Sequence, residues 1–214
     1  MFRAILYTQW KWTRLALLPG VIVAFTLPIL SIQGAGESLV ASWVLQGVRG
    51  WAVWFPALAA ALGLLVAVTA WREDHRGDHV YALSLPVERW RYALLRFAAG
   101  AALLAAPIVA LWLGSLIAAA AASIPPTLRT YPNALALRFA LAALVAYGVF
   151  FAISAGTVRT AAIVLGAVAV FIAADVLLRA AGWEVSIGRE VMAWLTRAPG
   201  PLTVFSGRWM LIDV

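Results

Sequence analysis

The sequence predicts an all-α fold, a polytopic bundle of helices that cross a membrane, and three observations predict it. Hydrophobic residues make up 64% of the 214 positions and charged residues only 12%, about half the charged share of a soluble domain. Long stretches carry no charge at all. The cations and most of the tryptophans gather at the ends of those stretches, where a membrane–water interface favours them. Strands of a barrel would alternate in polarity over about ten residues, and an open sheet edge cannot be satisfied in lipid.

The charge-free runs give the elements in order. They are Leu15 to Gly36, Gly50 to Trp71, Phe97 to Leu128, Phe139 to Val158, and Thr160 to Ala174, the last continuing past Asp175 to Leu178. A helix needs about 20 apolar residues to cross the hydrocarbon. Five spans follow, near 15–33, 52–71, 93–120, 134–153 and 160–179. Ahead of them, residues 1–14 form a basic cytoplasmic amphipathic arm, so the transmembrane domain is 15–179. The first run has 22 residues. It exceeds the roughly 7–15 apolar residues of a signal peptide, and so reads as an anchor.

Pro28, Pro56 and Pro107 lie within the runs. Membrane helices tolerate them, with kinks as the usual result. The third run is long for an upright span, so it is expected to tilt or to project into water. Trp10, Trp12, Trp51, Trp54, Trp71 and Trp90 mark interfaces, with Trp112 the exception inside a run.

Residues 180–214 contain no run of spanning length. Trp183 to Leu195 reads as an amphipathic interfacial or re-entrant helix, through Val185, Ile187, Val191, Trp194 and Leu195. Pro199, Gly200 and Pro201 then break it.

Orientation follows from the cations. With a cytoplasmic N-terminus, Arg3, Lys11, Arg14, Arg72, Arg76, Arg89, Arg91, Arg96 and Arg159 fall inside, and the short outside loops hold Arg49, Arg129 and Arg138; Arg179, Arg189, Arg197 and Arg208 follow the fifth span. That is the positive-inside arrangement. Five spans then leave the C-terminus outside.

Several function classes are excluded. There is no cysteine, so there is no disulfide framework, thiolate metal site or cysteine nucleophile. The net charge of +7 reports orientation rather than nucleic-acid binding, because the arginines end apolar runs instead of forming a soluble basic surface. No GxxxxGK[ST], GxSxG or HExxH motif occurs. Nothing implies a cofactor or metal. His75 and His79 share a helical spacing that zinc ligands can use, but Gly77 between them and the acids around them read as a solvated loop. The chain is read as a non-enzyme.

The most informative polar segment runs from Trp71 to Gly100. It holds both histidines and four of the nine acids, mixed with arginines. That mixture is not a polybasic lipid anchor. Val80 to Leu85 is a short apolar patch stopped by Pro86, suited to docking into a groove on a cytoplasmic partner. Asp175 and Arg179 are the intramembrane polar candidates. They stand four apart near the end of the fifth span, where a local ion pair competes with a functional site. Gly148, Ala152 and Gly156, at spacing four, offer a surface for close helix approach.

Within that loop, Glu73, Gly77, Leu83-Ser84-Leu85-Pro86-Val87, Arg89, Arg96 and Gly100 resemble the cytoplasmic loop of ABC-2-type transporter permeases. The arm from Phe2 to Arg14 is similar to that family's helix on the inner membrane surface. The resemblance implies a permease subunit of an ATP-driven exporter in a bacterial inner membrane. A separate ABC ATPase subunit would bind the coupling loop 72–91, and a second permease half would complete the path. The residues it implicates are Glu73, Gly77, Leu83, Leu85, Pro86, Arg89 and Arg96. The family has six spans, and the chain reaches Asp213-Val214 about where a sixth would begin, so that helix is expected to be missing or atypical. The alternative is a non-transporting membrane anchor or assembly protein that recruits a cytoplasmic partner.

Overall fold

A computed structural model describes residues 1–33, 41–76, 88–156, 158–182 and 187–213. Seven α-helices are present among them: α1 Phe2–Gln33, α2 Ala41–Trp51, α3 Trp54–Arg76, α4 Arg89–Ala121, α5 Pro132–Ser154, α6 Val158–Ala180 and α7 Ile187–Thr196. Two short strands, β1 Arg129–Thr130 and β2 Ile212–Asp213, pair antiparallel, Arg129 opposite Asp213 and Thr130 opposite Ile212. The chain divides into two compact units, 1–151 with 208–214, and 152–207.

Among the described residues, four helical stretches are long and apolar enough to cross a membrane: Phe2–Gln33, Ala41–Arg72, Arg89–Ala121 and Pro132–Ser154. They match the first four expected spans, with changed boundaries. The basic arm does not stop at Arg14, because α1 runs unbroken from Phe2 to Gln33. The charges end the apolar run, but no Gly, Pro or capping residue lies between Arg14 and Leu18 to end the helix. α1 also continues through Pro19 and Pro28, and α4 through Pro107. The expected fifth span is helical, as α6, but its described apolar stretch, Ala162–Leu178, is shorter than the other four. α2 lies where the sequence predicts a loop, and it buries Val44 and Val48, one turn apart.

In the first unit, α1 and α4 run parallel. Gln9 meets Arg96 at one end and Phe25 meets Gly114 toward the other, so the contact extends over about 25 Å at 1.5 Å per residue. A Cβ at Gly114 would strike the backbone carbonyl of Phe25. α3 runs antiparallel to α1, through Thr13 with Thr69 and Gly20 with Leu62. α5 packs on α3 at Gly63, where an added Cβ would lie 2.7 Å from the Tyr147 nitrogen and 2.9 Å from the Ala143 carbonyl oxygen. Small residues at crossings let helix backbones approach closely, as lipid-embedded packing requires. Of the triplet singled out in the sequence, Gly148 faces open space: among the described residues, nothing from another helix lies within 4 Å of where its Cβ would stand.

The end of the bundle far from the N-terminus is capped by the C-terminal residues. Val44, Val48, Leu128, Met210 and Ile212 form a buried cluster, with Ile32, Leu45 and Ile124 against it. Arg138 donates to the Arg208 carbonyl at 2.6 Å and lies over the Trp209 ring at 4.7 Å. Trp112 is explained here: its indole donates to Asn133 Oδ1 at 2.8 Å.

In the second unit, α6 presents Ile163, Val168, Val170, Ile172 and Leu177 as exposed side chains on different sides of the helix. A helix that is apolar all round belongs in lipid or in a larger core. After the turn at Gly182 (φ 83°) comes α7, which exposes Val191 and Trp194. It lies inside the expected amphipathic segment.

Candidate functional site

A polar and aromatic node occupies the N-terminal end of the first unit, beside the roots of the 72–91 loop. Arg96 is its centre. It stands in the second turn of α4 and is only 8% exposed. Its Nη1 donates to the Ala70 carbonyl near the end of α3. The guanidinium lies over the rings of Trp71, at 5.3 Å, and Tyr92, at 4.9 Å. A guanidinium suits this place because its plane can face aromatic rings while its edge donates.

The Arg96 backbone is gripped as well. Gln9 Nε2 on α1 donates to its carbonyl at 3.3 Å. The Tyr147 hydroxyl on α5 reaches the same carbonyl at 3.4 Å and that of Phe97 at 3.2 Å. Gly100 makes this possible, since a Cβ there would occupy the position of the Tyr147 hydroxyl. Phe97 stacks on Tyr147 with centroids 4.9 Å apart, and Phe151 meets Trp71, Phe97 and Tyr147 at 5.1, 5.3 and 5.5 Å. Thr13 Oγ1 donates to Thr69 Oγ1 at 2.9 Å. Three other helices, α1, α3 and α5, therefore converge on one arginine of α4.

The node is not saturated. Among the described residues, the buried Gln9 Oε1 and Trp71 Nε1 have no hydrogen-bond partner. Buried polar groups without partners are few in folded proteins, and each asks for an explanation. Next to the node, Trp90, Ala93, Leu94, Phe97 and Phe151 line an open apolar groove.

The residues singled out from the sequence divide into groups. Arg96 is at the centre. Arg89 is the first residue of α4 and is exposed, and Glu73 stands in the last turn of α3. Gly77, Leu83, Leu85 and Pro86 lie outside the described residues. Asp175 belongs to the second unit and plays another part. It is 8% exposed, and its Oδ1 accepts the Gly188 N–H at 2.9 Å, in the first turn of α7. Arg179 stands one turn further along α6.

Sequence reasoning missed Gln9, Thr13, Thr69, Tyr92 and Tyr147. A signal existed for three of them. Gln9 and Thr13 are polar residues four apart on a helix leading into the first span. Tyr147 is a hydroxyl in the middle of an otherwise apolar run, and polar groups in spans point inward to partners. No family model matches the chain, and neither the curated proteins nor the solved structures contain a match.

Proposed function

We propose that the chain is a permease subunit of an ATP-driven transporter, in which the 72–91 loop receives the stroke of a separate ATPase and the Arg96 node passes it to the spans. One observation carries the reading: Arg96, just past the loop, bonds the Ala70 carbonyl just before it. The two roots of the loop are thus stitched to each other, and through Gln9 and Tyr147 to α1 and α5. A push on the loop cannot move one root alone. The unpartnered Gln9 Oε1 and Trp71 Nε1 suit a joint with a second arrangement, since rigid-body switching needs packed elements with two states.

Five crossings fit this reading, since α6, with 23 residues, is about 35 Å long, enough to cross the hydrocarbon. The excess of cations around the loop argues for a cytoplasmic N-terminus. The second permease half is a partner the reading requires.

The test is co-purification in detergent with any ABC ATPase that the neighbouring genes encode, comparing wild type with a Glu73→Arg, Pro86→Ala variant. Stoichiometric ATPase on wild type and its loss in the variant is the expected result. If neither sample retains ATPase, the coupling role fails and recruitment of a different cytoplasmic partner takes its place.

A further inference from the structure

We infer that the first four turns of α1 carry a binding site for the phosphate headgroup of anionic phospholipids, made by Lys11 and Arg14 with Trp10 and Tyr7. The inference is independent of the coupling reading. It begins from the unbroken helix. Because α1 does not turn at Arg14, its side chains keep one register from the basic arm into the span. Residues 3, 7, 10 and 14 then fall within about 60° of one another around the axis, with Lys11 on their flank. All five side chains, Arg3, Tyr7, Trp10, Lys11 and Arg14, are exposed. Gln9 and Thr13, on the other side, are the buried pair that joins the node.

Depth agrees with the chemistry. The same outward face continues through Leu18 and Ile22, both at least half exposed. If hydrocarbon begins near Leu15, Lys11 and Arg14 lie about one turn or less outside it, at the level of the phosphates. Trp10 and Tyr7 sit beside them, where amphipathic rings favour the interface. Arg3 stands farther out and contributes attraction at longer range.

Charge complementarity selects the occupant. The first acid in the sequence is Glu37, so residues 1–36 carry cations only. A zwitterionic headgroup brings its own ammonium and gains less from that field. An anionic one offers the net negative charge that Lys and Arg near a surface attract. Trp12 on this segment is engaged differently, since it lies under the Arg72 guanidinium at 5.1 Å.

The experiment uses the full chain in nanodiscs of equal phosphatidylglycerol and phosphatidylcholine. The protein is then extracted into detergent, and the lipids that stay bound are measured by mass spectrometry. Wild type is expected to retain phosphatidylglycerol in excess. Lys11→Gln with Arg14→Gln should lower that preference on the order of tenfold. Arg49→Gln with Arg129→Gln removes the same charge from two exposed positions elsewhere and should leave the preference in place. Equal loss in both variants would reduce the effect to net charge and overturn the site, as would full retention in the Lys11/Arg14 variant. Should that variant fail to fold, wild type alone decides. Its preference must fall in molar salt, where screening is within about 3 Å, and a wild type with no preference at low salt overturns the inference.

Discussion

Gly100→Ala tests the node most directly. A Cβ at position 100 would collide with the Tyr147 hydroxyl and lie 2.6 Å from its Cζ and 3.0 Å from its Cε2. The ring cannot slide freely, because Phe97 and Phe151 pack against it at 4.9 and 5.5 Å. The hydroxyl must therefore leave both carbonyls it reaches, at 3.4 and 3.2 Å. These contacts are long and share one proton, so together they are worth about 1 kcal/mol. Overpacking a filled site adds about 1–3 kcal/mol. The variant should lose about 2–4 kcal/mol, or roughly 4–16 °C in Tm for a chain of this size. Tyr147→Phe keeps the stacked ring and loses only the hydroxyl, about 1 kcal/mol. In the double variant the absent hydroxyl leaves part of the room that the added methyl needs. The two penalties should then fall short of their sum by about 1 kcal/mol, as coupled neighbours do. Thermal unfolding in one detergent, followed by tryptophan fluorescence, measures all four states. A Gly100→Ala protein as stable as wild type, or strictly additive penalties, would refute the placement of Tyr147 against Arg96.

Other outcomes follow from the same geometry. Gly114→Ala should destabilise by about 2–4 kcal/mol, because the obstacle is the Phe25 carbonyl and backbone yields little; Gly166→Ala, with open space around it, should be neutral or slightly stabilising in the same melt. Asp175→Ala should cost about 1 kcal/mol and raise amide exchange in α7, whereas Asp175→Asn, which keeps an acceptor for Gly188, should lose less. Ile212→Ala empties a fully buried position in the capping cluster. It should cost about 2–4 kcal/mol and open Arg129 and Arg208 to limited trypsin digestion. Because the chain has no cysteine, Thr13→Cys with Thr69→Cys gives a clean cross-linking test: the hydroxyls are 2.9 Å apart, and a disulfide should form under mild oxidation.

What the sequence revealed and what it concealed have physical reasons. Charge-free runs are a strong signal because charge in hydrocarbon is costly, and four of them mark helices long enough to cross. Helix ends were less legible. Arg3, Lys11 and Arg14 end an apolar run but do not end a helix, so α1 begins at Phe2, well before the span expected at Leu15. Residues 41–51 fell between the first two expected spans and read as an outside loop through Arg49, although Val44 and Val48 at one-turn spacing were the visible trace of α2. The two-residue strands could not be read, since their pairing joins Arg129 to Asp213 and depends on tertiary return of the chain. At the node, Arg96 was found for its place after the loop, but its burial and its bond to Ala70 need three-dimensional proximity of α3 and α4. Asp175 was read against Arg179 along one helix; its acceptor role toward Gly188 crosses a turn.

The pairing of β1 with β2 has a consequence for the integrity of the chain. Residues 152–207 leave the first unit and the chain comes back to it, so this segment is held at both ends like an inserted excursion. A single proteolytic cut within it would not release the terminal piece, because Trp209, Leu211 and Ile212 remain seated with at most 2% exposure. The two fragments should migrate together under native conditions and separate only when the cap is unfolded. Residues 208–213 thus act as a clasp that fastens the returning chain to the end of the bundle far from the N-terminus.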